Sequence, residues 1–252
     1  MNVWEIFRTL VFGYPVQAEM INRDWPVFPQ QIGGLCLSLT ITLASLFFGL
    51  FVGVLLATIR SYRPGAAGRS LASRVGAGAF RGLAGLIVEG VRGVPIMILV
   101  LLTFYLPSRL FGLRTPAVFL AVGAFSLYAG VYLSEIFRSG FRVVDPRCID
   151  AARALGLGPW AILTQIRLPI ATRAMTPALI GLAITVFKDT SVLVVVAVAD
   201  MTFIGRLIQA ASPGDYALVL SLTLLLYWSV ATAGAALVAR LEQRWKANLT
   251  AI

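Results

Sequence analysis

Lys188 and Asp189 stand side by side in a stretch, Met175 to Val198, that holds no other charged residue. Ionisable groups at membrane depth are expensive, and they point to function by default. Adjacent helical residues project about 100° apart and do not face one another. Each therefore needs its own partner, on another helix, on another subunit or on a solute. Thr190 and Ser191 add two hydroxyls beside them. A zwitterionic solute carries one carboxylate and one ammonium, and this set can meet both. The alternative is a gate, in which inter-helix ion pairs hold one state of a pathway. Glu89 and Arg92 lie three apart, which predicts a local ion pair followed by a kink at Pro95. Glu135 and Arg138 repeat the spacing and predict a brace at the end of an apolar run.

Other chemistry is excluded. The chain has no histidine, which removes imidazole acid–base catalysis and Ser-His-Asp triads. Cys36 and Cys148 are far apart, make no zinc site, and are expected to be ordinary small buried residues. A nucleotide-binding Gly-x4-Gly-Lys-Ser/Thr loop needs a lysine, and neither Lys188 nor Lys246 sits in one. This chain is therefore not expected to be an enzyme or to hold a cofactor or metal.

The elements that position these residues follow from composition. Of 252 residues, 59% are hydrophobic and 13% charged, with mean hydropathy +0.87. Soluble domains run at about 45–50% apolar and about 25% charged. The expectation is an all-α integral membrane protein, one transmembrane domain over residues 1–252. A crossing helix needs about 20 mainly apolar residues, which gives five spans at roughly 35–59, 83–106, 116–137, 175–199 and 215–239. An odd number puts the termini on opposite sides. Segments 60–82, 138–174 and 240–252 carry five, six and three of the twenty-one basic residues. The positive-inside bias then places the N-terminus outside and the C-terminus inside. The same placement accounts for the net charge of +10 without nucleic acid. Glu5, Arg8, Glu19, Arg23 and Asp24 interrupt any cleavable signal core. Trp4, Phe7, Val11 and Phe12 are spaced as a short interfacial helix, with a floppy tail as the alternative. Gly49 and Gly53 favour a close helix contact.

Residues 138–174 are too polar to span and too patterned for a linker. Asp145-Pro146 supplies an N-cap with proline at the first helical position. Gly156 stops that helix, and Pro159 starts a second one at Trp160. Two short helices with Ala151, Ala152 and Ala154 on their surface would make a knob suited to a grooved soluble partner. A surface-lying hairpin without a partner is the other reading.

The segment also resembles a family. Asp150-Ala151-Ala152, then Gly156, then Ile166-Arg167-Leu168-Pro169 follow the EAA-loop pattern of bacterial ABC-transporter permeases, with matching spacing. Asp150 stands where the family usually has Glu, and Arg147-Cys148 where it often has Gly followed by Gln or Glu. Gly34 to Leu43 is similar to the family's first span, and Glu89-Gly-Val-Arg92-Gly93-Val-Pro95 to its E-x-x-R-G-x-P element. Tyr132 to Gly140 and Lys188-Asp189-Thr190-Ser191 look like the polar amino-acid subgroup. The resemblance implies a type I importer permease, half of a solute path, with a second permease that is identical or paralogous. Two ATPase subunits, binding ATP and Mg2+, would dock on the EAA loops, and an external binding protein would deliver solute. Asp150, Ala151, Ala152, Gly156, Ile166, Leu168 and Pro169 would couple to the ATPase. Lys188, Asp189, Thr190, Ser191, Glu135, Glu89 and Arg92 are the expected pathway, gate or solute residues. A stand-alone ion-coupled transporter is the rival, but five spans are few and no inverted repeat is visible.

Overall fold

Backbone in hydrocarbon must satisfy its own polar groups, so the long apolar stretches have helix as their open form. The computed structural model describes residues 2–13, 33–61, 71–112 and 115–250. Arg63 and Arg69 of the basic segment 60–82, with Glu19, Arg23 and Asp24 of the N-terminal stretch, lie outside them. The described residues contain no strand, only an isolated bridge between Gly34 and Asp200. In chain order the helices are α1 (Val3–Phe12), α2 (Gly34–Ser61), α3 (Leu71–Gly93), α4 (Ile96–Phe111), α5 (Ala117–Arg142) and α6 (Pro146–Ala154). They continue as α7 (Pro159–Ile162), α8 (Leu168–Asp189), α9 (Met201–Ala211) and α10 (Tyr216–Thr250).

The core is the pair α2 and α5. Lipid is as apolar as leucine, so helices associate there by close packing rather than by hydrophobic transfer. Gly49 and Gly53 provide it. A Cβ on Gly53 would lie 2.7 Å from that of Leu133, and one on Gly49 would lie 3.0 Å from the Ser126 carbonyl oxygen. The GxxxG thus closes a contact within this chain. Ser45 lies beside Val122, Gly49 beside Ala129, Gly53 beside Gly130, and Arg60 beside Glu135. Both registers rise together, so α2 and α5 run parallel.

Parallel first and third spans require the chain to cross back between them. That return is made by α3 and α4, which meet at 110° across Val94 and Pro95. The expected single span 83–106 is therefore a broken one. Proline has no N–H and biases the preceding residue away from the α region, which turns the anticipated kink into a corner. Four long apolar helical stretches, with this bent pair taken as one broken span, give five crossings.

The fourth span also differs from its expectation of 175–199. Helix α8 begins at Leu168 and reaches back through a π turn, Leu163–Arg167, to α7. Beyond Asp189 it tightens into a 3-10 turn over Thr190–Val196. The Leu168 N–H reaches back five residues to Leu163 rather than four to Thr164, and Pro169, which cannot donate to the Gln165 carbonyl, follows directly. α8 runs antiparallel to α5, with Met175 against Gly140 and Asp189 against Tyr128. α10 runs antiparallel to α8, Gly234 lying against Ile184 and Tyr227 against Phe187.

At the end where α2 starts, α1 is capped by Asn2 and Glu5 and packs Ile6 and Leu10 against Met201, Ile204, Ile208 and Val219. Its docked face is this one, while Trp4 and Phe12 of the expected interfacial face stay exposed. Both sets have helical spacing, and only the neighbouring α9 selects between them.

Candidate functional site

The 145–169 loop projects beyond the spans. The Asp145 carboxylate accepts the Arg147 N–H at 2.9 Å, with Pro146 in the first turn. At the other end Gly156, at φ +80, closes a Schellman turn: its N–H reaches Arg153 O, and that of Leu157 reaches Ala152 O. The expected second helix of the loop is not a separate one. α7 runs through the π turn into α8, so the knob is one free helix plus the foot of a span.

On α6, Asp150 and Ala151 face out as expected, but Ala152 is buried with the half-buried Ile149. Positions 149 and 152 share the inward face of a 3.6-residue helix. Cys148, expected to be buried, is exposed. Asp150 pairs with Arg153 at 3.2 Å, both about 70% exposed, and such surface pairs contribute little. Ile166 is half-buried, while Leu168 and Pro169 are exposed. Leu155 and Trp160, which no sequence motif marked, are 82% and 74% exposed beside the Gly156 turn.

Between α6 and α7 lies a recess lined by Ile149, Arg153, Leu157, Pro159, Ile162 and Arg167. The Arg167 guanidinium lies over the Phe141 ring, 5.7 Å from its centroid. Its Nε is buried without a hydrogen bond among the described residues.

At the same end of the bundle, Glu135 takes the expected Arg138 at 2.6 Å and, in addition, Arg60 of α2. The brace therefore joins two helices. The expected Glu89–Arg92 pair does not form. Both residues are exposed, and Arg92 instead lies over the Tyr132 ring, 5.7 Å from its centroid. Spacing of three permits a pair without requiring it, and the last turn of α3 brings Arg92 against α5.

Lys188 and Asp189 separate as their 100° offset demands. Asp189 is half-buried and lies beside the Tyr128 hydroxyl, near the middle of α5. Tyr128 packs on Tyr132 at 4.9 Å, so Arg92, Tyr132, Tyr128 and Asp189 form a continuous chain across α5. The two tyrosines are four apart on one helix face, a spacing that the sequence displays but no motif singles out. Lys188 points to an exposed face and has no ion-pair partner among the described residues. Thr190 is buried and bonds the Phe187 carbonyl, and Ser191 is half-buried.

A further cluster lies at the end where α1 docks. Asp200, in the turn between the fourth span and α9, is fully buried. It caps α9 by accepting the Phe203 N–H at 2.9 Å and the Thr202 N–H at 3.2 Å. Ser38 of α2 accepts the Met201 N–H at 3.2 Å, and Thr202 bonds Tyr227 of α10 at 3.0 Å. Burial pushes the Asp200 carboxyl up to about 7, against the opposing pull of the two N–H donors.

Five helical crossings, charges held among them and a capped loop carried beyond them define a multi-pass α-helical membrane protein. The comparisons give the particular family. Residues 65–247 match the binding-protein-dependent transport system inner membrane component, and the chain belongs to that family. It is therefore an inner-membrane permease subunit. It is 31% identical to the glutamine transport system permease protein GlnP of Escherichia coli strain K12 over 75% of this chain and 80% of that protein. It is 32% identical to the glutamate/aspartate import permease protein GltK of Escherichia coli O157:H7, over 72% and 80%. The probable glutamine permease GlnP of Bacillus subtilis strain 168 is 28% identical over 84% and 91%. Among solved structures, an amino acid ABC transporter crystallised with histidines superposes with a TM-score of 0.69 at 24% identity, covering 82% of this chain and 90% of that one. The inward-facing MetNI methionine ABC transporter gives 0.60 at 22%, covering 82% and 94%. At those identities the likeness speaks for the fold. Family membership favours the importer reading over the stand-alone ion-coupled transporter.

Proposed function

We propose that this chain forms half of the path by which an ATP-driven importer takes up a polar amino acid delivered by an external binding protein. The relatives named for glutamine and for glutamate and aspartate support the solute class. A second permease, identical or paralogous, completes the path. Two copies of a separate ATPase, which bind the ATP and Mg2+, grip the 145–169 loop. The basic residues of 60–82, 138–174 and 240–252 support an outside N-terminus and a cytoplasmic C-terminus. Asp189, set beside Tyr128, braces the pathway. Lys188, on an uncovered face of α8, meets the solute or the second permease.

One observation carries this reading: a short helix packed by its inner face on the foot of α8 and closed by a glycine turn, with Leu155 and Trp160 bare at its tip. Exposed apolar groups rimmed by polar ones mark interaction sites. The test is recovery of the ATPase on affinity-purified permease, with solute-stimulated ATP hydrolysis in proteoliposomes. Gly156→Leu puts a Cβ at φ +80, Ala151→Trp blocks the outer face of α6, and Asp150→Lys reverses its charge. Each is expected to lower ATPase recovery about tenfold or more, the equivalent of roughly 1.4 kcal/mol, with insertion unchanged. Normal recovery and normal stimulation in all three would remove the loop as the docking element.

A further inference from the structure

Segment 138–174 holds six arginines and two acidic residues, Asp145 and Asp150. Asp145 is committed to capping α6, and Asp150 faces outward. No acid of the loop is left for Arg167. Its Nε is nevertheless buried without a partner among the described residues, in a residue that lines a recess together with Arg153. Buried donors in native proteins are almost always bonded, and an orphan calls for an explanation. The other walls, Ile149, Leu157, Ile162 and Pro159, are apolar. A group that satisfies the whole recess is an anion on an aliphatic stem.

We propose that an acidic side chain of the ATPase subunit enters this recess, its carboxylate pairing with Arg167 and Arg153. The inference rests on the loop being the docking element and adds a second contact of opposite direction: the permease loop not only inserts but receives. The place matters mechanically. Arg167 is the last residue of the π turn, and Leu168 opens the span helix that ends in Lys188 and Asp189. π turns are locally unwound and recur at functional sites. A carboxylate held at Arg167 therefore pulls on the junction between loop and span, while the α6 tip supplies grip. The Arg153–Asp150 pair is solvent-exposed and yields Arg153 at little cost.

The experiment uses the complex that co-purifies with wild-type permease, reconstituted in nanodiscs of phosphatidylcholine alone or with anionic phosphatidylglycerol. ATPase binding is titrated from about 50 to 300 mM salt, a range over which exposed ion pairs are progressively screened. Arg167→Met is expected to weaken binding at least about tenfold at low salt and to flatten its salt dependence, because Arg167 is only half-buried and its partner Arg153 is exposed, so salt screens the pair they form with the carboxylate. Arg167→Lys keeps the charge and recovers part of the loss. Phe141→Leu removes the ring beneath Arg167 but keeps the cation, so it retains salt-dependent binding; equal loss in Phe141→Leu and Arg167→Met would mark Arg167 as merely structural and overturn the proposal. Wild-type affinity and salt slope in Arg167→Met would overturn it as well. So would a defect confined to discs with anionic lipid, which would assign the anion to a lipid headgroup. If Gly156→Leu and Ala151→Trp still abolish binding in that case, the docking loop stands and only the recess falls. Normal binding in those two variants removes both.

Discussion

Two carboxylates show how environment, not residue type, sets a role. Asp189 faces a tyrosine hydroxyl; Asp200 is enclosed by the turn it caps, with the Tyr227 hydroxyl of α10 across from it. Because burial lifts Asp200 to about 7 from an ordinary 3.8, the folded protein keeps a proton that the unfolded chain has released between pH 4 and 7. Stability must then fall as pH rises through that window, by an amount on the order of a few kcal/mol. Thermal unfolding in detergent at pH 5 and pH 8 should show the wild type losing stability at the higher value and Asp200→Asn losing much less. A wild type at least as stable at pH 8 would refute this account of the cap. Lys188 calls for a different measurement, because it has no ion-pair partner among the described residues to lose. Lys188→Met should leave the unfolding temperature unchanged and cut uptake about tenfold or more, since a lost charge contact of roughly 1.4 kcal/mol is a factor of ten. Asp189→Asn keeps a side-chain oxygen beside the Tyr128 hydroxyl and should be milder. Full uptake by Lys188→Met would make that charge a passenger.

Helices here meet through their smallest residues. Gly53 and Gly130 let α2 and α5 approach until added Cβ atoms would sit 2.7 Å from Leu133 Cβ and 2.6 Å from Val52 Cβ. Gly85 and Gly123 have nothing within 4 Å. Overpacking costs roughly 1–3 kcal/mol, so Gly53→Val should lower the unfolding temperature by about 2–10 °C, while Gly85→Ala should leave it unchanged or raise it. Equal temperatures for the two variants would mean that the α2–α5 contact is not the stabilising one. The same pair explains a reading that spacing alone left open, since GxxxG serves equally between chains and within one. It also sets the register that places Arg60 on Glu135.

Parallel α2 and α5, antiparallel α8 and antiparallel α10 put the two ends of the chain on opposite faces of the molecule. Which face is cytoplasmic rests on the arginines, and the chain supplies its own probe. Cys148 is exposed on α6 and Cys36 is half-buried. In a Cys36→Ala background, a membrane-impermeant maleimide should miss Cys148 in intact cells and label it after permeabilisation. A cysteine placed at Ser212 should be labelled without permeabilisation. The reverse pattern would put the loop outside, where no ATPase could reach it.

Crossing number, the ends of α6 and the turn at Gly156 were legible in the chain itself, because each depends on residues close in sequence: apolar length, an Asp-Pro cap, a glycine able to hold positive φ. Charge partners were not. Arg60 and Glu135 are 75 positions apart, Ser38 and Met201 are 163 apart, and Glu89 and Arg92, three apart, do not pair. Spacing along a helix states which side chains share a face, and it is silent on what the neighbouring helix offers that face. That was decided only when the glycine contacts set the register of α2 on α5 and the corner at Pro95 turned the last turn of α3 toward Tyr132. Burial of Ala152 and the π turn before Leu168 were settled in the same way, by how one element sits on the next.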